Sequence, residues 1–299
     1  MLWVISFSDG TIPFRGVVGN PEKTLHRVTL NGMAAIRSAR ANTSLDIAVL
    51  YDGDAPEFLS FLEDQNVRCI QRRFAYAEDP QFFPDPADQK DVGRYIAGMW
   101  MRTEIPLVFP EHEYVLYTDT DVIFTRDPVP QLEQVRPKFV AGCTEGACSM
   151  FPAGVESGSR DAPWRFGAGF INTGVLLINT KAWADEYDAF VETSRSTGWG
   201  GKITCDEGVI NLHFKDRVEY LRRTFNWRPW WGVFEAAPIV HYHGSKVADL
   251  REYLEWGIDS PGLSHYCKHW WRGAASRFAV DMTRDIAQYY VDLYEKYNS

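Results

Sequence analysis

The sequence predicts an α/β fold, a mostly parallel sheet flanked by helices. Three observations carry this. Strand-like and helix-like segments alternate from the first residues onward. The first strand-like run is apolar, as a strand buried on both faces requires. The composition, 45% hydrophobic and 24% charged over 299 residues, is that of a globular chain long enough to bury a full core.

Residues 2–7, Leu-Trp-Val-Ile-Ser-Phe, form the first core strand. No basic stretch precedes it and Asp9 follows at once, so it reads as a strand and not as a signal peptide. Residues 21–40 place Leu25, Val28, Leu30, Met33 and Ile36 near helical spacing. Residues 45–51 are a strand closed by the turn Asp52-Gly53-Asp54. A short helix over 56–63 and a third strand over 67–71 complete a β-α-β-α-β pattern, the mark of a parallel sheet. Residues 77–88 carry Pro80, Pro84 and Pro86 and form a loop. Residues 92–108 are helical, with Pro106 ending or kinking the helix.

Residues 114–118 are a strand that runs straight into Asp119-Thr120-Asp121. A further strand covers 138–141, a Gly/Pro-rich loop 142–167, and a long strand 168–179. Helices follow over 181–195 and 206–214, and a last strand over 238–242. Residues 277–297 are an amphipathic helix, because Phe278, Met282, Ile286, Tyr289, Leu293 and Tyr297 recur at steps of four and three. Its polar face is mixed in charge, so it is expected to dock on the chain's own core rather than on a membrane. No apolar run approaches the ~18 residues of a transmembrane segment.

Charge narrows the partners. Thirty-one Lys+Arg against forty Asp+Glu leave a net charge of −9. Nucleic-acid phosphates and anionic lipids repel such a chain unless a basic patch overrides the total. The longest basic clusters are pairs, such as Arg72-Arg73 and Arg222-Arg223. Nucleic acid is therefore excluded, and a phosphate ligand needs a metal or a few aimed cations. The five cysteines, Cys69, Cys143, Cys148, Cys205 and Cys267, are widely spaced. Cys143 and Cys148 could close a loop, but the spacing lacks the second pair of a structural zinc site. They read as reduced thiols of a cytoplasmic protein.

Four segments carry chemistry. The first is Tyr114-Val-Leu-Tyr-Thr-Asp119-Thr-Asp121. Side chains alternate in an extended chain, so Asp119 and Asp121 point the same way, roughly 6.6 Å apart along the strand. Their oxygens suit a hard divalent cation, at the strand end where open α/β sheets bind ligands. A solvated Asp-x-Asp turn is the bland alternative. The second is Ile239-Val-His241-Tyr-His243-Gly244-Ser-Lys246. Its two imidazoles share one strand face and favour Mn²⁺, Fe²⁺ or Zn²⁺ over Mg²⁺, and Lys246 offers a point charge to phosphate; a pair of hydrogen-bonded histidines at a strand end is the bland alternative. The third is Phe170-Ile-Asn172-Thr-Gly174 followed by an apolar run, where glycine inside a strand marks a close approach. The fourth is Asp206-Glu207 at the head of a helix, where acids also serve as caps.

In this order, with Arg102-Thr-Glu-Ile-Pro106 ahead of them, these segments resemble the retaining glycosyltransferases of the GT-A fold, family 8. The resemblance covers roughly residues 1–250. It implies a GT-A catalytic domain over 1–250 and a helical extension, 251–299, packed on it. It implies a UDP-sugar donor, a saccharide or glycoconjugate acceptor, and Mn²⁺, with Mg²⁺ as the alternative. Asp119, Asp121 and His241 would be the metal ligands, with His243 the runner-up to His241. Arg102, Gly244 and Lys246 would contact diphosphate or donor sugar, and Thr120 and Asn172 would also belong to the donor-binding site. Phe7, Ser8 and Asp9 would hold base and ribose. Asp206 would meet donor-sugar hydroxyls, and Glu207 would lie near the anomeric carbon, where the family usually has glutamine. The family's Pro-Trp after the lysine is absent.

Two other readings compete. Apolar residues before an Asp-x-Asp also open phosphatases of the haloacid-dehalogenase kind, but there the motif lies at the first strand, and His241–Lys246 would go unexplained. The tryptophans crowded at Trp227, Trp230, Trp231, Trp256, Trp270 and Trp271 suit a non-catalytic carbohydrate-binding protein, but also plain packing.

Overall fold

β1 (Leu2–Ser8), β2 (Asp46–Asp52) and β3 (Arg68–Gln71) lie parallel to one another, joined by helices Pro21–Asn42 and Pro56–Asp64. The computed structural model describes residues 1–9, 21–79, 82, 97–144, 171–197, 206–243, 246–263, 267–268, 271–272 and 280–298. Seven strands form one sheet in the order β3-β2-β1-β4-β7-β6-β8, where β4 is Tyr114–Thr118, β6 Val140–Thr144, β7 Ile171–Asn179 and β8 Val218–Tyr220. The sheet is mostly parallel, as predicted, but β7 runs antiparallel to both of its neighbours. β5 (Val122–Phe124) and β9 (Ile239–His241) form a separate antiparallel pair, with Val122 opposite His241.

The central strands alternate between two cores. Trp3, Ile5 and Phe7 pack with Ala35, Ile36 and Phe58 of the first two helices. Leu2 and Val4 face the other side, with Ile105, Trp183, Phe190 and Phe214. β1 is buried from end to end. Each aliphatic side chain buried in this way stabilises the fold by about 1.5–3 kcal/mol. Trp3 Nε1 finds its partner inside the sheet, donating to Thr118 Oγ1 at 2.9 Å.

A third core gathers Ile123, Trp230, Trp231, Val240, Tyr242, Leu250, Trp271 and Tyr290. It lies where helix Val247–Trp256 packs on the last helix, Arg284–Asn298. Three of the clustered tryptophans are thus packing residues. Trp227 is half-buried, Trp256 is exposed, and Trp270 lies outside the described residues.

Some boundaries differ from expectation, each for a local reason. The last helix starts at Arg284, not at 277. Asp281 is drawn into a β-bridge with Arg272, and the Thr283 hydroxyl then caps the helix by accepting from Ile286 N–H at 3.2 Å. Met282 is buried ahead of the helix, and Phe278 lies outside the described residues. The helix expected over 181–195 breaks at Glu186 into Thr180–Asp185 and Tyr187–Thr197. Of the stretch 92–108, residues 97–108 are described, and their turns tighten to 3₁₀ over Met101–Glu104. β6 extends to Thr144, because Cys143 and Thr144 pair with Asn172 and Ile171. Residues 145–170 lie outside the described residues, as does most of the proline loop.

Cys69 is a half-buried free thiol, and Cys143 Sγ donates to Arg222 O at 3.2 Å. Cys148 and Cys205 lie outside the described residues. No described helix is long and apolar enough to cross a membrane.

Candidate functional site

The strand formers of β4 stop at Thr118, and the backbone turns at Asp119. Its N–H donates to Gly174 O on β7 at 2.9 Å. Two residues on, the Asp121 carbonyl accepts from Tyr242 N–H at 2.8 Å, which ties the turn to the end of β9. Two strand pairings thus converge on one point. There the ligand atoms of Asp119, Asp121 and His241 all lie within 4.8 Å of one another. His241 Nε2 stands 3.6 Å from Asp119 Oδ2 and 3.4 Å from Asp121 Oδ1. Gly174 makes this packing possible, for a β-carbon there would sit 2.8 Å from Asp119 Oδ2 and 2.9 Å from His241 Nδ1.

Charge at the site is organised by two cations. Arg102 is buried, and its Nη2 lies 2.9 Å from Asp119 Oδ1. Its Nη1 donates to Thr173 O at 2.9 Å, and its plane covers the Tyr117 ring at 4.7 Å. Its Nε donates to Met99 O at 2.9 Å and lies equally close to Asp206 Oδ2. The Met99 carbonyl takes the aligned hydrogen bond, so the Asp206 contact is an ion pair. Burial disfavours the guanidinium charge, but Asp119 and Asp206 outweigh it and hold the Arg102 pKa above its ordinary value. Burial also lifts the Asp206 carboxyl to about 6, against the pull of Arg102.

Lys246, the second cation, pairs with Asp121. Burial alone would raise the Asp121 carboxyl. Lys246 and His241 reverse this and hold it well below the usual carboxylate range. Asp119 is braced on its other oxygen, Oδ1, by the Tyr117 hydroxyl at 2.8 Å.

Beside this cluster opens a cleft of about 390 Å³, lined by Phe7, Ser8, Arg102, Asp119, Thr120, Asp121 and Lys246 among others. That is the size of a small-molecule site. Helix Arg284–Asn298 also reaches it, through Tyr294 and Asn298. Asp9 stands at the same end of β1, where its Oδ2 accepts from the Tyr51 hydroxyl at 2.7 Å and from Asp54 N–H at 2.9 Å.

Asn172, Asp206, Glu207 and His241 are not part of the cleft lining. Glu207 Oε2 accepts from Asn172 Nδ2 at 3.0 Å, Thr173 N–H at 3.0 Å and Thr173 Oγ1 at 3.3 Å. Its carboxylate is therefore held against β7. His243 is not in the acidic cluster. Its ring meets that of His241 edge-on at 5.2 Å, and burial, with Arg228 and His241 nearby, holds its pKa well below the ordinary value. Gly244 lies outside the described residues.

Sequence reasoning missed Asn226. It closes the 3₁₀ turn Arg223–Asn226, fully buried, with its Oδ1 2.8 Å from His241 Nδ1. Its one sequence signal is a polar amide between aromatics, Phe225-Asn226-Trp227.

The model of the family described as Glycosyl transferase family 8 matches residues 29–270. Among curated proteins, none matches by sequence. Several solved structures share the fold. An active-site mutant of LgtC, with glutamine replaced by glutamate, is 18% identical over 90% of this chain and 94% of its own, with a TM-score of 0.58. The galactosyltransferase LgtC in complex with donor and acceptor sugar analogs is 17% identical over 99% and 96%, with a TM-score of 0.55. The glycosyltransferase GlyE of Streptococcus pneumoniae TIGR4 is 18% identical over 94% and 66%, with a TM-score of 0.54.

Proposed function

The chain belongs to glycosyl transferase family 8, and from that premise we propose that it moves a sugar from a UDP-sugar to a saccharide or glycoconjugate acceptor, with retention and with Mn²⁺. Membership sets aside the phosphatase and the non-catalytic sugar-binding readings. One observation carries the donor half of the proposal. Asp119, Asp121 and His241 bring their ligand atoms within 4.8 Å of one another beside the cleft. Two carboxylate oxygens and one imidazole nitrogen fit Mn²⁺ better than Mg²⁺, which prefers an all-oxygen shell.

When bound, the metal would draw off the negative charge that builds on the leaving diphosphate. The chain's own residues do the rest. Lys246 adds a point charge paired to Asp121 in the same cluster. Arg102, locked between Asp119 and Asp206, fixes both carboxylates without reorganisation during the reaction. Asp206 then presents an acceptor to donor-sugar hydroxyls. Phe7 and Ser8, with Asp9 beside them, would hold base and ribose at the end of β1, and Thr120, Asn172 and Gly244 would serve the rest of the donor.

Retention needs either attack from the leaving-group face or assistance from a side chain on the other face. Glu207 is our candidate for the assistance. Its Oε2 is fixed by three donors from Asn172 and Thr173, so its negative charge is held in place for an oxocarbenium-like centre. The exchange of an active-site glutamine for glutamate is of the kind carried by the LgtC mutant. The same reading takes 1–250 as the catalytic domain and 251–299 as a helical extension packed on it, in a cytoplasmic protein.

The test is nucleoside diphosphate release from a panel of sugar nucleotides, with Mn²⁺, Mg²⁺ or EDTA. UDP release from a UDP-sugar that stops in EDTA is the expected result. Turnover that ignores EDTA would overturn the metal assignment, and turnover of another nucleotide's sugar would overturn the donor.

A further inference from the structure

Resting on that metal assignment, we infer that Asn226 is a positioning residue which locks His241 in one tautomer. It links the metal ligand to Glu207 through a chain of buried amides. The chain of bonds is short and its polarity follows from one fixed end. Gly174 N–H is a backbone donor and cannot be anything else. It bonds Asn172 Oδ1 at 3.1 Å, which sets the orientation of that amide. Asn172 Nδ2 must then face Glu207 Oε2, an acceptor, at 3.0 Å.

Asn172 Oδ1 also receives a bond of 2.8 Å from the Asn226 amide, so the atom of Asn226 facing it is the donor Nδ2. That leaves Asn226 Oδ1, an acceptor, 2.8 Å from His241 Nδ1. His241 must therefore carry a proton on Nδ1. Its Nε2, the nitrogen aimed at Asp119 and Asp121, keeps its lone pair for a metal.

Burial makes the arrangement strict. Asn226 and His241 are at most 1% exposed, and Asn172 is 2% exposed. Water has no access to substitute for a lost partner, so an unmatched amide there leaves a desolvated polar group. Rotating the Asn226 amide would set two acceptors together at Asn172, so the amide is held with its oxygen toward His241. A second partner that fixes a ligand imidazole in this way typically contributes 10–100-fold in metal affinity.

The link also reaches Glu207. One end of the amide chain touches the carboxylate proposed to lie near the anomeric carbon, and the other touches the metal ligand. Displacing Asn226 should therefore disturb the two ends of the donor site together.

The test begins on the unsubstituted, metal-free protein. Histidine ring ¹⁵N NMR is recorded at alkaline pH, where neutral imidazole prevails, with His241→Gln to assign the signal. The Nδ1–H tautomer is expected, and an Nε2–H ring would overturn the inference with no variant involved. Mn²⁺ affinity of Asn226→Leu, measured by electron paramagnetic resonance of free Mn²⁺, should be 10–100-fold weaker. Asn226→Asp keeps an acceptor for Nδ1–H but sets a second acceptor against Asn172 Oδ1, so it should recover only part of that loss. Equal affinity in Asn226→Leu and the parent would overturn the inference. If the parent itself binds no Mn²⁺, the metal assignment fails, while the ring tautomer still decides the role of Asn226.

Discussion

Gly174→Ala adds one methyl group at the most crowded point of the site. The added carbon would stand 2.8 Å from Asp119 Oδ2 and 2.9 Å from His241 Nδ1, and closer still to His241 Cε1. Ordinary contact begins at about 3.5 Å, so each ligand must withdraw by roughly 0.6 Å or more. Neither has room. His241 is held from behind by Asn226 at 2.8 Å, and Asp119 by Tyr117 at 2.8 Å and Arg102 at 2.9 Å. Mn²⁺ affinity should therefore fall about 10–100-fold, and turnover by about 10²-fold, the cost of an ångström-scale misplacement.

Overpacking should also lower stability by about 1–3 kcal/mol. That cost must be separated from the loss of metal. Gly142→Ala is the control. Its methyl would meet Ile171 at 3.0 Å and Leu176 at 3.2 Å, inside the sheet and away from the three ligands. Calorimetry with Mn²⁺, UDP-release kinetics and urea denaturation on both variants settle the matter. Parent-like metal affinity in Gly174→Ala would refute the reasoning, as would an equal loss in Gly142→Ala.

Three further outcomes are expected. Asp121→Asn removes a ligand charge and releases Lys246, so metal-dependent turnover should vanish while the circular dichroism spectrum stays that of the parent; a fully active variant would make the Asp-x-Asp a mere turn. Glu207→Gln keeps shape and loses charge, so a direct role predicts a kcat loss of at least about 10²-fold with little change in donor KM, and parent-like kcat would favour attack from the leaving-group face. The Asp206 carboxyl sits at about 6 when folded against an ordinary 3.8, so the stability it confers is complete below 3.8 and is lost as pH rises through about 6. Urea denaturation of the metal-free protein from about pH 4 to about pH 7 should slope less steeply in Asp206→Asn than in the parent, and parallel slopes would show the carboxyl is not raised.

How much of this was legible depends on whether a feature is local. β1 and β2 were readable because each is an apolar run, and a buried parallel strand needs nothing more. β8 was not, since Val218–Tyr220 is three residues long with two of them exposed, and its apolar pattern is empty. The direction of β7 was hidden for a different reason. Eight of its nine residues are buried, on both faces, and side chains alternate identically in parallel and antiparallel strands. The last helix was placed too early because the spacing of Phe278 and Met282 extends the stripe by coincidence. The backbone at Asp281 is extended in a bridge to Arg272.

The site divides along the same line. Asp119 and Asp121 are two residues apart in the bend that joins β4 to β5, so nearness in sequence already puts them at one strand end. His241 and Lys246 declare themselves by chemistry, because imidazole and ammonium have few uses at the end of a buried strand. Asn226 has neither advantage. It is 15 positions from His241 and 54 from Asn172, and meets them only once β7 and β9 are in place. An asparagine in a short turn has many ordinary roles, and its residue type does not choose among them. What chooses is the pairing of donors and acceptors in a dry interior, where Gly174 N–H fixes Asn172, Asn172 fixes Asn226, and Asn226 fixes His241. Such a residue leaves its mark in the polarity of a network rather than in a spacing. It can be read only after the strands that carry the metal ligands have been brought side by side.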